Sequence, residues 1–165
     1  VDRYHFSLVQ SGNVLLIISV LSLFGPPLAG RLDPGSATRR RWLVGMTLLM
    51  SALFAVFIFG HSAALDISAA TVISIVSGYM VLQYADVRVA YPASLIGRAM
   101  AVFTMSMFLG IALMQWLTGL AASIATAHGH DPYTAVMALI AVLLLLGALA
   151  FAWLPGPKLP TGAPA

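Results

Sequence analysis

Five long apolar runs, separated by short polar segments, dominate the hydropathy pattern of this chain. A helix needs about 20 consecutive apolar residues to cross the hydrocarbon core of a bilayer. The runs are continuous rather than alternating, so they favour membrane-spanning helices over the strands of a membrane barrel. The predicted spans are 8–28, 42–60, 67–84, 98–126 and 133–154. The sequence therefore predicts an all-α, polytopic bundle of about five transmembrane helices over residues 1–154.

The segments between the runs have the residue types of turns and helix ends. Asp66 precedes the third run, where it can cap a helix, and Asp131 followed by Pro132 suits the start of the fifth helix. The fourth run exceeds one bilayer thickness unless its helix tilts or protrudes. Segment 155–165 is rich in Pro and Gly, so we predict a disordered tail. The chain opens on polar residues without an initiator methionine, and we expect it to be the C-terminal piece of a longer protein.

The overall composition excludes an ordinary soluble domain. Hydrophobic residues make up 61% of the chain and charged residues only 8%, whereas soluble domains carry about 25% charged residues. The chain has no cysteine, which excludes disulfides and thiolate metal sites. The composition therefore agrees with the hydropathy pattern.

The basic residues lie on one side of the membrane if the five runs are spans. Of the eight Lys and Arg residues, only Arg3 falls on the opposite side. The other seven are Arg31, Arg39, Arg40, Arg41, Arg88, Arg98 and Lys158. An excess of Lys and Arg marks cytoplasmic loops. This distribution predicts a cytoplasmic C-terminus and places all four histidines on the external side, namely His5, His61, His128 and His130.

The spans differ in how many polar side chains they carry. The second and fifth are almost wholly apolar, so we expect Phe57 and Leu144 to face lipid. The first, third and fourth are more polar and are expected to face a common interior. The candidates for a substrate path are Asn13, Thr71, Ser74, Ser77, Thr104 and Gln115. Gln115 is the strongest, because a buried amide needs several hydrogen-bond partners; the hydroxyls could equally bond their own helix backbone.

The loop from Gly30 to Arg41 has an acidic residue, Asp33, soon after a glycine and a basic run at Arg39, Arg40 and Arg41. It resembles the signature loop of the major facilitator superfamily, G-x-L-x-D-R-x-G-R-R. Here Asp33 follows the glycine by three residues, the next position is Pro34, and the insert before the basic run is longer. The alternative interpretation is a generic basic anchor on the cytoplasmic side.

A second stretch is similar to the approach to the eleventh span in the same superfamily. It contains Pro92, then Gly97 and Arg98, then a helix with glycines at packing positions, including Gly119. The resemblance covers nearly the whole chain as spans eight to twelve, so the bundle would be a C-terminal half that lacks its first helix. It implies transport of a small solute by alternating access in a bacterial inner membrane. It also implies that the partner is the N-terminal half of the same polypeptide, and that the second and fifth predicted spans are peripheral.

Two further predictions concern packing. The spacing of Gly119 and Ser123 places two small side chains on one helix face, where another helix can approach closely. That face could slide during transport or pack statically. The charges predict that Asp33 and the arginines form a cytoplasmic cluster that connects the loop to the start of the fourth helix at Arg98.

Apart from Arg98, the first residue of the fourth span, the predicted spans contain no Asp, Glu, Lys, Arg or His, so a proton-coupling group would lie elsewhere. The sequence shows no cluster of a nucleophile and a base of the kind that an enzyme needs, and it implies no cofactor. His128 and His130 flank a glycine but have no third ligand nearby, so they do not define a metal site. The alternative functions are a non-catalytic subunit that anchors or scaffolds a membrane complex and, with less support, a membrane-embedded enzyme.

Overall fold

A computed structural model describes residues 6–60 and 62–154 of the chain. Within these two ranges the regular elements are helices and no strand occurs. The helices are α1 (Leu8–Ser22), α2 (Gly25–Arg31), α3 (Ser36–Phe59), α4 (Ala63–Val76), α5 (Met80–Ala90), α6 (Ile96–Ala127) and α7 (Pro132–Trp153). A 3-10 turn at Ser77–Tyr79 joins α4 to α5. The predicted all-α class is confirmed.

Five helical units are long and apolar enough to cross a membrane, which confirms the predicted number and indicates an integral, multi-pass membrane protein. They are Leu8–Arg31, Ser36–Phe59, Ala63–Ala90, Ile96–Ala127 and Pro132–Trp153. At 32 residues α6 is the longest single helix, and its length of about 48 Å exceeds the hydrocarbon thickness. The predicted tail at 155–165 lies outside the described residues, as do Arg3, His5, His61 and Lys158.

The third helical unit begins earlier and ends later than the span predicted at 67–84. Asp66 is not the cap: Ser62 holds that position and Asp66 lies buried in the first turn of α4. At the other end α5 continues through Asp86 to Ala90. The prediction that no ionisable side chain lies within a spanning helix is therefore wrong. A helix continues as long as its backbone hydrogen bonds can form, even where its side chains become polar.

Two of the five units are interrupted, and the interruptions touch. Between α1 and α2 the chain breaks immediately before Gly25, and the prolines that follow occupy the first turn of α2, where no N–H donor is needed. The 3-10 turn containing Gly78 interrupts the other unit. A Cβ on Gly25 would lie 2.5 Å from the carbonyl oxygen of Ile75, and a Cβ on Gly78 would overlap the carbonyl carbon of Gly25. Only glycine at both positions permits this backbone approach.

The largest interface of the bundle joins α3 and α7. Small residues of α7, including Ala141 and Ala148, are buried there, and the hydroxyl of Ser51 on α3 donates to the carbonyl oxygen of Ala141 at 2.7 Å. Around this pair, α4 contacts α1 and α3, while α6 contacts α5 and α7. The two most apolar helices thus cover each other along one face.

This packing corrects the prediction that Phe57 faces lipid. Phe57, expected to face lipid, is only 8% exposed, and Leu144 is half-buried beside a cavity. Gln115, expected to face a common interior, is exposed on α6. A helix that is apolar on every side gives no sequence signal for the face that packs against a neighbour. The polarity contrast between whole spans therefore did not identify the interior faces.

Candidate functional site

The loop between α2 and α3 is organised by one ion pair. The Arg39 guanidinium donates through Nε to Oδ1 of Asp33 at 3.0 Å and through Nη2 to Oδ2 at 2.6 Å. The N–H of Gly35 also donates to Oδ1 at 3.1 Å. Gly35 has φ +82°, a conformation that side chains other than glycine rarely adopt. A tight turn at Gly35 thus brings the first turn of α3 back over the carboxylate.

The ion pair also changes the acidity of the carboxyl group. The hydrogen bonds from Arg39 lower the pKa of Asp33 below its ordinary value of 3.8, and the Gly35 N–H acts in the same direction. Partial desolvation opposes them, but the lowering dominates. Arg39 itself is 6% exposed, so its charge is removed from solvent and held beside a permanent anion near neutral pH.

The neighbouring arginine connects the start of α3 to the end of α7. Nη2 of Arg40 donates to the carbonyl oxygen of Phe151 at 2.7 Å and to that of Leu154. Its guanidinium also lies 5.2 Å from the centroid of the Phe151 ring. The last carbonyls of a helix lack partners within the helix and attract cations. Arg40 therefore satisfies the end of α7 from a different helix.

The predicted cluster of charges is confirmed only in part. Asp33 and Arg39 pair as the charge signs suggested, whereas Arg98 forms no ion pair with Asp33 within 4 Å. Arg41 and Arg98 are exposed, as are Gly30 and Gly97. The predicted connection between the loop and the start of α6 is therefore replaced by the connection from Arg40 to α7. We call the end of the bundle that carries these residues the basic end.

Most of the hydroxyls predicted to line a path bond their own helix. On α4 and the following turn, Thr71 donates to the carbonyl oxygen of Ile67 at 2.8 Å, Ser74 to that of Thr71 at 2.8 Å, and Ser77 to that of Ser74 at 2.7 Å. Thr71 and Ser74 are half-buried and Ser77 is exposed. These bonds use each hydroxyl's donor, so the three residues are weak candidates for substrate contacts.

The candidates on α1 and α6 lie on surfaces that the chain leaves uncovered. Asn13 and Gln115 are exposed and Thr104 is half-buried. The Gln115 side-chain amide makes no hydrogen bond with the described residues. Gly119 and Ser123 are exposed too, and the Ser123 hydroxyl donates to the carbonyl oxygen of Gly119 at 3.0 Å. Within the described chain no other helix uses this small-residue face for close packing.

A cavity of about 400 Å³ lies at the basic end, lined by residues of α3, the 3-10 turn, α5, α6 and α7. Its polar and aromatic lining consists of Thr47, Tyr79, Gln83, Asp86, Phe103 and Phe151. Aliphatic groups complete the wall. We call this space the Asp86 cavity. Its volume is in the range typical of small-molecule sites.

Two hydroxyls meet at one side of the Asp86 cavity. Oγ1 of Thr47 donates to the carbonyl oxygen of Leu43 at 2.8 Å and lies 3.4 Å from the hydroxyl of Tyr79. Elsewhere in the lining, the ring of Phe103 packs edge-on against that of Tyr84, with centroids 5.0 Å apart. These contacts fix the walls and leave the amide of Gln83 and the carboxylate of Asp86 without hydrogen-bond partners among the described residues.

The sequence analysis did not identify this site because the third predicted span, 67–84, ends before Asp86. The signal was present in the spacing: Tyr79, Gln83 and Asp86 recur every three to four residues, which is the repeat of one helix face. With α5 extending to Ala90, the three side chains line the same cavity.

Comparisons with protein-family models, with curated proteins and with solved structures find no significant match to this chain.

Proposed function

We propose that this chain is the C-terminal portion of a major facilitator superfamily permease, in which it forms part of one wall of a path for a small solute. Transport would proceed by alternating access between two helical halves. The basic end would face the cytoplasm, because it carries Arg31, Arg39, Arg40, Arg41, Arg88 and Arg98. The bacterial inner membrane follows from the same family resemblance.

The observation that carries the proposal is the unpartnered Gln115 amide on an uncovered face of α6. An amide facing hydrocarbon is unfavourable, so polar side chains of membrane helices face protein or water. Nineteen residues of α6 precede Gln115 and twelve follow it, so it lies well inside the helix. A second helical half covering α6 would supply either a partner or a water-filled path for this amide.

The same surface extends to α1 and contrasts with the other side of the bundle. No residue of α1 is buried, and Ala125 is the only buried residue of α6. In contrast, α3 and α7 bury residues against each other. The bundle therefore buries residues between α3 and α7 but leaves α1 and α6 largely uncovered. This asymmetry supports a missing helical partner on the α1 and α6 side.

The loop between α2 and α3 gives independent support. The bidentate contact between Arg39 and Asp33 joins the acidic and basic positions for which the loop resembles the superfamily signature. A generic basic anchor needs positive charge but has no requirement for a carboxylate held by one of its arginines.

The test is reconstitution into liposomes of this chain alone and of this chain with a polypeptide carrying the preceding spans of the parent permease. We expect saturable uptake from a panel of sugars, amino acids and organic acids only with both parts present. Gln115→Leu should lower that uptake. Ser106→Ala is the matched control, because the Ser106 hydroxyl donates to the Val102 carbonyl oxygen of its own helix at 2.9 Å.

A second measurement addresses the alternative function, a scaffold subunit that docks another protein on the open face. The chain contains no cysteine, so Gln115→Cys introduces its only thiol, and the reaction is compared with that of the permease without this substitution. In the two-part permease, a membrane-impermeant thiol reagent should modify this cysteine, and the solute should slow the reaction. Complete protection from the reagent, together with absence of uptake, would favour the scaffold.

A further inference from the structure

The Asp86 cavity contains an anionic group whose charge is not balanced by the described chain. The carboxylate of Asp86 accepts no hydrogen bond and forms no ion pair within 4 Å in residues 6–60 and 62–154. Arg88 is nearby in sequence but is exposed, outside the cavity lining. An ionisable side chain within a spanning helical unit is costly without a partner and marks a functional site. The missing partner is a cation.

The rest of the lining indicates which kind of cation fits. Three aromatic rings, those of Tyr79, Phe103 and Phe151, share the cavity with the carboxylate. Aromatic faces attract organic ammonium groups and make good contact with their apolar substituents. A bare divalent metal prefers several oxygen or nitrogen ligands. In the described ranges no group of three His, Asp or Glu residues could hold one.

The guanidinium of Arg40, which contacts the cavity residue Phe151, already has other hydrogen-bond partners. Arg40 lies over the ring of Phe151 at 5.2 Å but donates its hydrogen bonds to the carbonyl oxygens of Phe151 and Leu154. It satisfies the end of α7 and leaves the Asp86 carboxylate to a ligand. The amide of Gln83 and the hydroxyl of Tyr79 add hydrogen-bonding groups beside that carboxylate.

We infer that the Asp86 cavity is a binding site for an organic ammonium ion, with Asp86 as the counter-ion and Tyr79, Phe103 and Phe151 as the aromatic walls. The site lies between α3, α5, α6 and α7, away from the open face of α6 at Gln115 on which the proposed transport path rests. All of its lining residues belong to the described chain, so the site does not require a second helical half. Its occupancy is therefore independent of the proposed transport function.

The experiment is equilibrium binding of benzyltrimethylammonium to the purified 165-residue chain in detergent, measured by isothermal titration calorimetry. We expect saturable binding of this cation. Benzyl alcohol, a neutral aromatic compound of related size, should bind at least tenfold more weakly. This comparison uses the unaltered chain, so it does not depend on how any variant folds. Absence of saturable binding by the cation, or equal binding of the alcohol, would overturn the inference.

Substitutions in the lining then test whether the cation binds in the Asp86 cavity. Asp86→Asn keeps the size of the side chain and removes its charge, and it should weaken cation binding at least tenfold. Asp86→Glu should retain part of the affinity, and Phe103→Leu should weaken binding. Arg88→Gln is the matched control, two residues away on the same helix but outside the cavity, and should not weaken binding. Far-UV circular dichroism verifies that each variant is folded. Equal affinity of Asp86→Asn and the unaltered chain would show that the cation binds elsewhere.

Discussion

Arg39 and Asp33 form a two-point contact across the turn between α2 and α3, with donor–acceptor distances of 3.0 and 2.6 Å. The arginine is almost fully buried, whereas the carboxylate side chain keeps 27% of its surface exposed. A bidentate guanidinium–carboxylate pair fixes geometry as well as charge. Because Arg40 connects the same turn of α3 to the end of α7, this pair also positions the contact between α3 and α7.

Replacing Asp33 by Asn should destabilise the bundle, because it leaves the buried guanidinium of Arg39 without a negative partner. We expect a loss of about 1–3 kcal/mol, the range for hydrogen bonds to charged groups and for groups left unsatisfied. Thermal and SDS-induced unfolding in detergent, followed by tryptophan fluorescence, would measure it. Arg41→Gln is the control: Arg41 is exposed, and its loss should change stability by less than about 0.5 kcal/mol.

The contribution of Asp33 should depend on pH in a definite direction. Its folded pKa lies below the ordinary value of 3.8, so the carboxylate stabilises the folded state fully above that value. The contribution is lost as the pH falls through the lower folded pKa. The difference in unfolding free energy between the unaltered chain and Asp33→Asn should be constant from about pH 5 to pH 7 and shrink below about pH 4. A difference that stays constant down to about pH 2 would contradict the pairing.

The hydrogen bond from Ser51 to Ala141 should contribute modestly to the α3 and α7 interface. It is buried and joins two helices at 2.7 Å. Interhelical hydrogen bonds in membrane proteins average about 0.6 kcal/mol, so Ser51→Ala should lower stability by about that amount. Ser106→Ala removes a hydroxyl that bonds only its own helix, and it should be neutral. Equal effects of the two substitutions would mean that the interhelical bond adds nothing.

The number of spanning units and the association of Asp33 with the basic run could be predicted from the sequence, since apolar runs of spanning length and nearby opposite charges are local features. Which face of each helix packs against its neighbours could not be predicted from the sequence. Phe57 is buried although it was expected to face lipid, because an almost wholly apolar helix does not encode which side its neighbours cover. The third predicted span ends before Asp86 because polarity rises before the helix ends at Ala90.

The polar stripes on α4 and α6 illustrate a second limit. Ser74 and Gln115 both have the spacing of path-lining residues, yet Ser74 donates to its own backbone and Gln115 lies on an open face. Sequence spacing gives the angular position of a side chain on its helix but does not specify its hydrogen-bond partner. The contact between Gly25 and Gly78 was equally unpredictable, because the two glycines come from separate helical units.

Alanine at Gly78 should be strongly destabilising, because the added methyl group would overlap the carbonyl carbon of Gly25. The atoms in the way are backbone atoms, so relief requires the two interrupted units to separate. Overpacking of this kind costs about 1–3 kcal/mol or more. Unfolding in detergent would measure the loss, and Gly25→Ala should behave similarly, since its Cβ would lie 2.5 Å from the carbonyl oxygen of Ile75.

The matched control for this contact is Gly45→Ala in the middle of α3, where nothing lies within 4 Å of an added Cβ. Alanine is favoured over glycine within a helix by about 0.5–1 kcal/mol, so this substitution should be neutral or stabilising. Both substitutions add a methyl group to a glycine in helical or nearly helical backbone. The difference between their effects on the unfolding free energy therefore measures the contact between the two interrupted helical units. If Gly78→Ala and Gly45→Ala changed stability equally, the close approach of Gly25 and Gly78 would be incorrect.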